Sequence, residues 1–276
     1  MKVVFINNRD SFVWNLVDYI SYFEKDTVVL PNTVPVEEVR ALAPDALVIS
    51  PGPGNPSDPK DIGNCIDIIR ELGPEIPLLG VCLGHQAINF TFGGTVRRSK
   101  AGPVHGKSSQ IRHNSSSLFG EMGETFEAGR YHSLEIGYPA PGIRITARAE
   151  DGSIMAVEHE KYPIYGLQFH PESVLTPNGL KIIESFLEIA RGFEKENIKK
   201  ENIKRENIKK ENIKREEKKP KQGNVQVKEK NGEVEKGNGK FKKRNEKSER
   251  DEQKLKKENR LLETGHELLH PPVQQE

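Results

Sequence analysis

Residues 77–86, Pro-Leu-Leu-Gly-Val-Cys-Leu-Gly-His-Gln, join an apolar run of strand length to a segment that suits a helix. The pattern predicts a strand over residues 77–81, a tight turn at Cys82 and a helix after it. Gly80 and Gly84 permit this turn, because a Cβ atom at either position would crowd the backbone. The thiol of Cys82 then lies at a helix N-terminus, where unpaired N–H groups and the helix dipole favour the thiolate. The stretch therefore indicates a nucleophile, although a small buried apolar residue between strand and helix fits the same spacing.

The same alternation of apolar runs and helical segments extends through the first part of the chain. Further strands are predicted at 3–6, 27–30 and 46–49, and helices at 11–23, 36–42 and 59–72. Strands that alternate with helices form a parallel sheet covered on both faces, and ligands bind beyond the carboxyl ends of its strands. Shorter alternations between residues 95 and 166 predict antiparallel elements, and residues 165–169 a last core strand. A closing helix over 178–191 completes this α/β fold, with one apolar face formed by Leu180, Ile183, Phe186, Leu187 and Ala190.

The charge distribution divides the chain at about residue 192. The 276 residues together carry a formal net charge of +1. Residues 1–192 hold 17 Lys and Arg against 23 Asp and Glu, a net of −6, whereas residues 193–276 hold 25 against 18, a net of +7. The first part is long and apolar enough to bury a core, but the second is mostly Lys, Glu, Asn and Arg. We therefore expect one globular domain over 1–192 and a charged tail over 193–276.

The tail opens with four five-residue units over residues 196–215, each Glu-Asn-Ile-Lys followed by Lys or Arg. In a helix this period places each Glu one turn before a basic residue, whereas the isoleucines wind round the helix without forming a stripe. The units predict a solvated single helix rather than a coiled coil, followed from Pro220 to about residue 252 by disorder and near 255–262 by a weak amphipathic stretch. Basic residues are interleaved with glutamates and only Phe241 is aromatic beyond residue 193, which favours a spacer over nucleic-acid binding.

Cysteine content and hydropathy argue against several other classes. Cys65 and Cys82 are too few for a disulfide framework, and no apolar run approaches the roughly 20 residues that span a bilayer. The opening run, Met-Lys-Val-Val-Phe-Ile-Asn, turns polar too early for a signal peptide. No clustered spacing of Cys and His suggests a metal site. We expect a cytoplasmic protein with both thiols free.

A candidate base follows the last predicted strand, in the run Gln168-Phe169-His170-Pro171-Glu172. Since the carboxyl ends of parallel strands lie at one edge of a sheet, His170 is expected beside Cys82. His170 would accept the proton of the thiol, and Glu172 would bind the other ring nitrogen and set its tautomer. The alternative is an ordinary surface histidine, because the chain contains eight.

The loop after the strand at 46–49 is a second candidate element of the site. It reads Ser-Pro-Gly-Pro-Gly-Asn-Pro over residues 50–56, so prolines stiffen it while Gly52 and Gly54 let its backbone approach the crevice. Its predicted role is to aim a backbone N–H at a developing oxyanion. A rigid turn that only ends a strand fits the same residues.

Several runs, taken in this order along the chain, resemble the class I glutamine amidotransferases over residues 1 to about 190. They are Pro51-Gly52-Pro53-Gly54, Gly80-Val81-Cys82-Leu83-Gly84-His85-Gln86, Tyr131-His132-Ser133-Leu134 and Phe169-His170-Pro171-Glu172-Ser173. Closer resemblance, to the glutaminase subunit of anthranilate synthase or of aminodeoxychorismate synthase, comes from Asp10-Ser11-Phe12, Asn15-Leu16 and Val104-His105-Gly106-Lys107. The family often has Asp-Asn where this chain has Asn7-Asn8. The resemblance implies a three-layer α/β fold with a central, mainly parallel sheet.

The resemblance also implies a role for each matching position. Cys82 corresponds to the family's nucleophile, His170 to its general base and Glu172 to the carboxylate that orients the base. The positions that match the glutamine-binding and oxyanion residues are Gly52, Pro53, Gly54, Leu83, Gln86, Ser133 and Leu134. The implied reaction passes through a glutamyl thioester and needs no metal or other cofactor in this subunit, with Mg2+ expected only in a synthase partner.

The implied function is release of ammonia from glutamine for a chorismate-using synthase subunit of the anthranilate synthase component I type, in tryptophan biosynthesis. The same role in aminodeoxychorismate synthase, for folate, and a subunit shared by both are alternatives, since both partners use chorismate. The runs at 10–12 and 105–107 disfavour a stand-alone thiol hydrolase such as a γ-glutamyl hydrolase. The intact Cys82, His170 and Glu172 disfavour a non-catalytic regulatory module.

Overall fold

The computed structural model describes residues 1–114, 116–120 and 122–217. Its helices are α1 (Val13–Phe23), α2 (Val36–Ala41), α3 (Pro59–Ile62), α4 (Cys65–Leu72), α5 (Leu83–Thr91) and α6 (Gly179–Glu217). Its strands are β1 (Lys2–Asn7), β2 (Asp26–Pro31), β3 (Ala46–Ile49), β4 (Leu78–Val81), β5 (Val96–Arg98), β6 (Val104–His113), β7 (Thr125–His132), β8 (Leu134–Ile136), β9 (Ile143–Ala149), β10 (Ile154–His159) and β11 (Ile164–Leu167). The disorder and the amphipathic stretch predicted near the C-terminus lie outside the described residues.

The strands in the described part of the chain form a nine-stranded sheet, in the order β2-β1-β3-β4-β11-β10-β9-β6-β7, and a separate pair of β5 and β8. Strands β2, β1, β3, β4 and β11 run parallel to one another. From β11 to β7 the sheet continues with antiparallel pairs. Four strands of the parallel half are those predicted by the helix–strand alternation, and β11 is the predicted last core strand. The antiparallel half lies in the region of short alternations. The predicted α/β class is confirmed.

Helices cover both faces of the parallel half, so its strands are buried on both sides. From Val3 to Ile6, no side chain of β1 exposes any surface. Val3 and Phe5 pack in a hydrophobic cluster with residues of α1 and α6, whereas Val4 and Ile6 pack with residues of α2, α4 and α5 on the opposite face. These two clusters and the sheet between them make three layers.

The helix predicted over residues 59–72 is interrupted and forms α3 and α4 instead. The break is at Gly63, whose φ of 57° lies in the left-handed region that favours glycine. A Cβ atom there would lie 2.3 Å from the backbone oxygen of Asn32, in the loop after β2. The backbone N–H of Asn64 donates to the same oxygen at 2.8 Å. The turn between the two helices is therefore held by a contact with a loop distant in sequence.

Helix α6 begins close to the start of the predicted closing helix and continues through the charged repeats to Glu217. Leu180, predicted to face the core, is 40% exposed, and the buried residue in its place is Ile182. The other predicted core positions are buried: Ile183, Phe186, Leu187 and Ala190. Although α6 is 39 residues long, no helix in the described part of the chain is long and apolar enough to cross a membrane.

An ionic contact joins α6 to the first residue of the chain. Nε of Arg191 donates to Oε1 of Glu24 at 3.0 Å, and the N-terminal ammonium group of Met1 donates to Oε2 at 3.2 Å. Burial opposes ionisation of Glu24, but these two cations outweigh it and lower the pKa of the carboxyl group. Beyond this contact the side chains of Ile203 and Ile208 are 51% and 50% exposed. In the repeat section of α6, each of these two apolar side chains therefore exposes about half of its surface to water.

Replacing Gly84 with alanine is expected to destabilise the fold by about 1–3 kcal/mol, the usual cost of overpacking. A Cβ atom there would lie 2.3 Å from the backbone oxygen of Ile49 on β3, which cannot move aside like a flexible side chain. Gly192 in α6 is the matched control, because its Cβ would meet nothing within 4 Å. Alanine is a better helix former than glycine by about 1 kcal/mol, so Gly192→Ala should stabilise. Equilibrium urea unfolding should show that the free energy of unfolding falls with Gly84→Ala and rises with Gly192→Ala. An unchanged free energy of unfolding in the Gly84→Ala chain would contradict this close approach.

Candidate active site

Cys82 occupies a strained turn between β4 and α5. Its φ of 51° and ψ of −96° lie in a region that residues other than glycine rarely adopt. Its backbone N–H donates to the carbonyl of Leu167 at 2.7 Å, which ties the turn to the end of β11. A Cβ atom at Gly80 would lie 2.6 Å from the backbone of Gly84, so the turn has no room for a larger residue at that position. The turn places Cys82 immediately before the first residue of α5, as the local sequence predicts.

Strand register brings His170 to the same edge of the sheet. Because β4 and β11 are parallel and Val81 pairs with Leu167, the two strands end side by side. His170 follows shortly after β11, and its backbone N–H donates to the carbonyl of Gly129 at 3.0 Å. Its ring atom Nδ1 lies 2.6 Å from Oε1 of Glu172. Since a carboxylate only accepts, Nδ1 carries a proton, and Nε2 is the nitrogen available to the thiol.

Electrostatics at His170 favour the imidazolium form. His170 and Glu172 are 6% and 4% exposed. Burial alone would lower the pKa of the imidazole, but the Cys82 thiol and the Glu172 carboxylate outweigh it and raise the pKa of His170 well above its usual value. Among the described residues, Nε2 of His170 has no hydrogen-bond partner of good geometry, so it is free to exchange a proton with a reacting group. Asp10 is a second carboxyl group near this pair, and burial raises its pKa.

The two free cysteines differ in reactivity because their surroundings differ. Cys65 is completely buried, and its Sγ donates to Oδ1 of Asn8 at 3.3 Å. Burial raises the pKa of Cys65 to about 12, so its thiol stays protonated. Cys82 is 7% exposed and borders a cavity. Of the two thiols, only that of Cys82 is placed to react.

The cavity beside Cys82 has a volume of about 170 Å³. Its walls are formed by Gly52, Pro53, Gly54, Cys82, Leu83, Gln86, His105, Tyr131, His132, Ser133 and Leu134. The structure thus brings together the candidate nucleophile and every glutamine-binding or oxyanion position named from the sequence. Larger hollows of about 300 and 640 Å³ border Arg112 and His113 but contain no cysteine.

His170 and Glu172 border a neighbouring cavity of about 120 Å³, and Tyr131 lies in the wall of both cavities. The Tyr131 ring meets the His170 ring edge to face, with centroids 5.1 Å apart, and its hydroxyl lies 3.1 Å from Oγ of Ser173. Nε2 of His105 lies 3.0 Å from Oγ of Ser133 in the first cavity. Sequence reasoning gave no role to Tyr131 or to His105. The available signal was their presence in the runs at 104–107 and 131–134.

The loop at 50–56 reaches the first cavity because Asn8 holds it. The backbone N–H of Asn8 donates to Oγ of Ser50 at 2.9 Å, and its side-chain amide donates to the carbonyl of Ser50 at 2.9 Å. The first N–H groups of α5, starting at Leu83, have no acceptor within the helix. Loop backbone and helix N-terminus border the same space, which is the arrangement that stabilisation of an oxyanion requires.

No cluster of three or more His, Cys, Asp or Glu side chains in the described ranges has the spacing of a metal site. The polar side chains around the first cavity are instead an amide, hydroxyls and imidazoles, namely Gln86, His105, Tyr131, His132 and Ser133. These groups suit a small polar substrate with donors and acceptors of its own.

Comparison with known proteins gives consistent matches. The family model for glutamine amidotransferase class-I matches residues 4–190. Anthranilate synthase component 2 of Thermococcus kodakarensis is 47% identical over 194 residues, which cover 68% of this chain and 98% of that protein. Its counterpart in Halobacterium salinarum is 44% identical over 196 residues, covering 69% and 98%. The crystal structure of a Thermoplasma acidophilum protein, described as part of a GMP synthase, aligns with a TM-score of 0.65 at 25% identity and covers 71% and 97%.

Glu172→Gln is expected to change how stability depends on pH. Since the folded-state pKa of His170 lies above its unfolded value of about 6.5, its ionisation contributes stability that is complete below that pH and is lost as pH rises through the folded-state pKa. Removing the Glu172 carboxylate lowers the folded-state pKa, so the loss should be smaller and should be complete at a lower pH. Denaturant unfolding of both chains between pH 5 and pH 9 measures this. Parallel curves for the two chains would mean that Glu172 does not hold the proton on His170.

Proposed function

The chain belongs to the class I glutamine amidotransferases, and from this membership we propose that it is the glutamine-hydrolysing subunit of an anthranilate synthase. One observation carries the proposal: Cys82 stands in a strained turn beside a polar cavity, with the His170–Glu172 pair at the same sheet edge. Relatives named anthranilate synthase component 2 are matched over 98% of their length, which favours this member of the family over others.

The first half of the proposed reaction releases ammonia. The Cys82 thiolate attacks the side-chain carbonyl carbon of glutamine, and the carbonyl electrons move to oxygen. Backbone N–H groups of Leu83 and of the Gly52–Gly54 loop stabilise that oxyanion, and one such donor is typically worth about 10²–10³ in kcat. The imidazolium of His170 then gives its Nε2 proton to the departing nitrogen. Ammonia leaves, and a glutamyl thioester stays on Cys82.

The second half restores the enzyme. Neutral His170, held by Glu172, takes a proton from a water molecule, and the oxygen of that water attacks the thioester carbonyl. The carbon–sulfur bond breaks, the thiolate of Cys82 re-forms beside the imidazolium, and glutamate leaves. Gln86, Ser133 and Leu134 line the cavity and are the residues we assign to the amino-acid end of glutamine. One water is consumed for each ammonia released, and no cofactor of this subunit takes part in the proposed steps.

We propose that the ammonia passes to a chorismate-using synthase subunit, which would carry any Mg2+ the second reaction needs. Exposed apolar side chains border the cavity at His170, where Phe12 and Val174 are 50% and 91% exposed. Trp14, two residues further along the chain, is 59% exposed. Apolar surface at the rim of a cavity suits a partner protein. The free thiols fit a reducing compartment, and we place the complex in the cytoplasm.

A second candidate function is the same chemistry in aminodeoxychorismate synthase, alone or in a subunit shared by both pathways. The runs at 10–12 and 104–107 resemble both kinds of subunit, and ammonia is the only product that either synthase takes from this chain. The product formed from chorismate therefore distinguishes the two functions.

Cys82→Ala is expected to abolish glutamine-dependent product formation in the complex, by more than about 10³-fold, because the nucleophile is lost. Product formation from added ammonium salt should survive, since the synthase needs only ammonia. Cys65→Ser is the matched control and should leave both activities unchanged, because this side chain does not border the cavity and a serine hydroxyl can still donate to Asn8. The measurement mixes each chain with chorismate and a synthase subunit, then identifies the product as anthranilate or aminodeoxychorismate. Glutamine use by the Cys82→Ala chain would show that this mechanism is wrong.

We also propose that residues 1–192 are the catalytic domain and that residues 193–276 act as a solvated spacer. A chain ending at Gly192 keeps Arg191 and its contact with Glu24, so it should fold and retain the glutamine-dependent activity of the complex. Activity assays and size-exclusion chromatography with the synthase subunit test this. Loss of complex formation would assign the tail to partner binding, and salt-sensitive RNA binding by the full chain alone would assign it to nucleic acid.

A further inference from the structure

We infer that Gln168 is an additional catalytic residue, whose side-chain amide donates a hydrogen bond to the sulfur of Cys82 and is oriented by a buried relay that begins at Arg130. This inference rests on the proposed function and adds a group that stabilises the thiolate beside His170. Gln168 comes directly after β11 and belongs to the run at 168–172, but its role depends on partners that are distant in the sequence.

Gln168 is completely buried and held on three sides. Its backbone N–H donates to the carbonyl of Met155 at 2.9 Å. Its side-chain oxygen Oε1 lies 3.1 Å from Nε2 of Gln86, and its nitrogen Nε2 lies 3.6 Å from Sγ of Cys82. A thiolate only accepts hydrogen bonds, and a bond to an ionised group is stronger than one between neutral groups. The amide therefore favours the charged form of the sulfur if nitrogen, not oxygen, faces it.

The neighbours of Gln168 decide which amide atom faces the sulfur. The backbone carbonyl of Leu134 can only accept, so the Gln86 atom 3.0 Å from it must be the nitrogen Nε2. The second hydrogen of that nitrogen points to Gln168, where the facing atom must be the acceptor Oε1. Nε2 of Gln168 is then the atom left for Cys82.

The other end of the relay holds the same Leu134 carbonyl in place. The guanidinium of Arg130 can only donate, so Nε2 of His132, 3.0 Å from Nε of Arg130, is an acceptor. Burial and the Arg130 cation together lower the pKa of His132 to about 4, so the ring is neutral near pH 7. Its proton is therefore on Nδ1, which donates to the carbonyl of Leu134 at 2.9 Å. That carbonyl accepts from His132 and Gln86 together, which fills both of its lone pairs.

Arg130 is a rigid origin for the relay. It is 2% exposed, and its guanidinium donates to Oδ2 of Asp151 at 2.7 Å, Oγ of Ser109 at 3.2 Å and Oγ of Ser153 at 3.3 Å. A buried cation with several partners has one favourable orientation, because turning it would leave a charge or a donor unpaired. Arg130 and His132 are positioning residues, since they hold the Leu134 carbonyl to which Gln86 donates.

The relay couples the substrate cavity to the nucleophile. Gln86 and Leu134 line the cavity and are also the middle members of the relay. With its nitrogen committed to Leu134 and Gln168, Gln86 has only its oxygen left to accept a hydrogen bond from a substrate ammonium group. The same bonds that orient this binding group therefore hold the donor on the sulfur of Cys82.

The test is the pH dependence of iodoacetamide alkylation of the full chain, which reads the apparent pKa of the Cys82–His170 pair. Gln168→Met keeps similar bulk but removes the donor, so the apparent pKa should rise by about one unit and alkylation below the wild-type pKa should slow about ten-fold. Gln168→Glu, of matched size, should raise the apparent pKa further because this substitution puts a carboxylate beside the sulfur. Gln86→Met should raise it too, since the Gln168 amide can then turn its oxygen to the sulfur.

The control is Cys82→Ala, which measures background labelling at Cys65. An unchanged apparent pKa in any of the three variants, with thermal unfolding showing a folded chain, overturns the inference. If Gln168→Met does not fold, Gln168→Glu and Gln86→Met decide it. Failure of this inference is distinct from failure of the proposed function. If Cys82→Ala loses labelling but the Gln168 variants keep the wild-type pKa, Cys82 is still the nucleophile and only the relay is ruled out.

Discussion

The backbone turn at Cys82 holds the whole site in place. A residue with a side chain at φ 51° and ψ −96° costs on the order of 1–3 kcal/mol, so its surroundings must keep it there. The hydrogen bond from its N–H to Leu167 and the contact of Gly84 with Ile49 supply that support from β11 and β3. Neither contact exists until three central strands are in register. The nucleophile geometry is therefore a property of the assembled sheet.

The site lies where β7, the last strand of the antiparallel half, meets the chain just after β11 of the parallel half. The parallel half contributes Cys82 and Gln86 from the turn and helix after β4. The antiparallel half contributes Tyr131 and His132 at the end of β7, and the bridge between Gly129 and His170 joins the two halves. A nucleophile from one half and cavity walls from the other can meet only at this junction. This explains why the antiparallel extension is part of the chemistry and not only of the fold.

Buried charge in this region serves orientation more than stability. Arg130 with Asp151, and Glu135 with Arg97 at 3.0 Å, are ion pairs with one nearly inaccessible member. Such pairs contribute little net stability because desolvation offsets their attraction, but breaking one is costly. The hydroxyl of Ser153 contacts both pairs, 3.3 Å from Arg130 and 2.8 Å from Glu135. The network therefore allows one arrangement of the strands that carry the cavity.

Local sequence was enough to specify the elements that depend on neighbouring residues. The strand, turn and helix around Cys82 could be predicted because apolar spacing and glycines act locally, and His170 followed from the rule that parallel strands end at one edge. Only the folded chain shows the break at Gly63 and the burial of Ile182 in place of Leu180. The same is true of the hydrogen bond from Nε2 of Gln168 to Sγ of Cys82. Each of these depends on an atom far away in the chain. Periodicity encodes which face of an element is apolar, but tertiary packing decides which polar atoms meet.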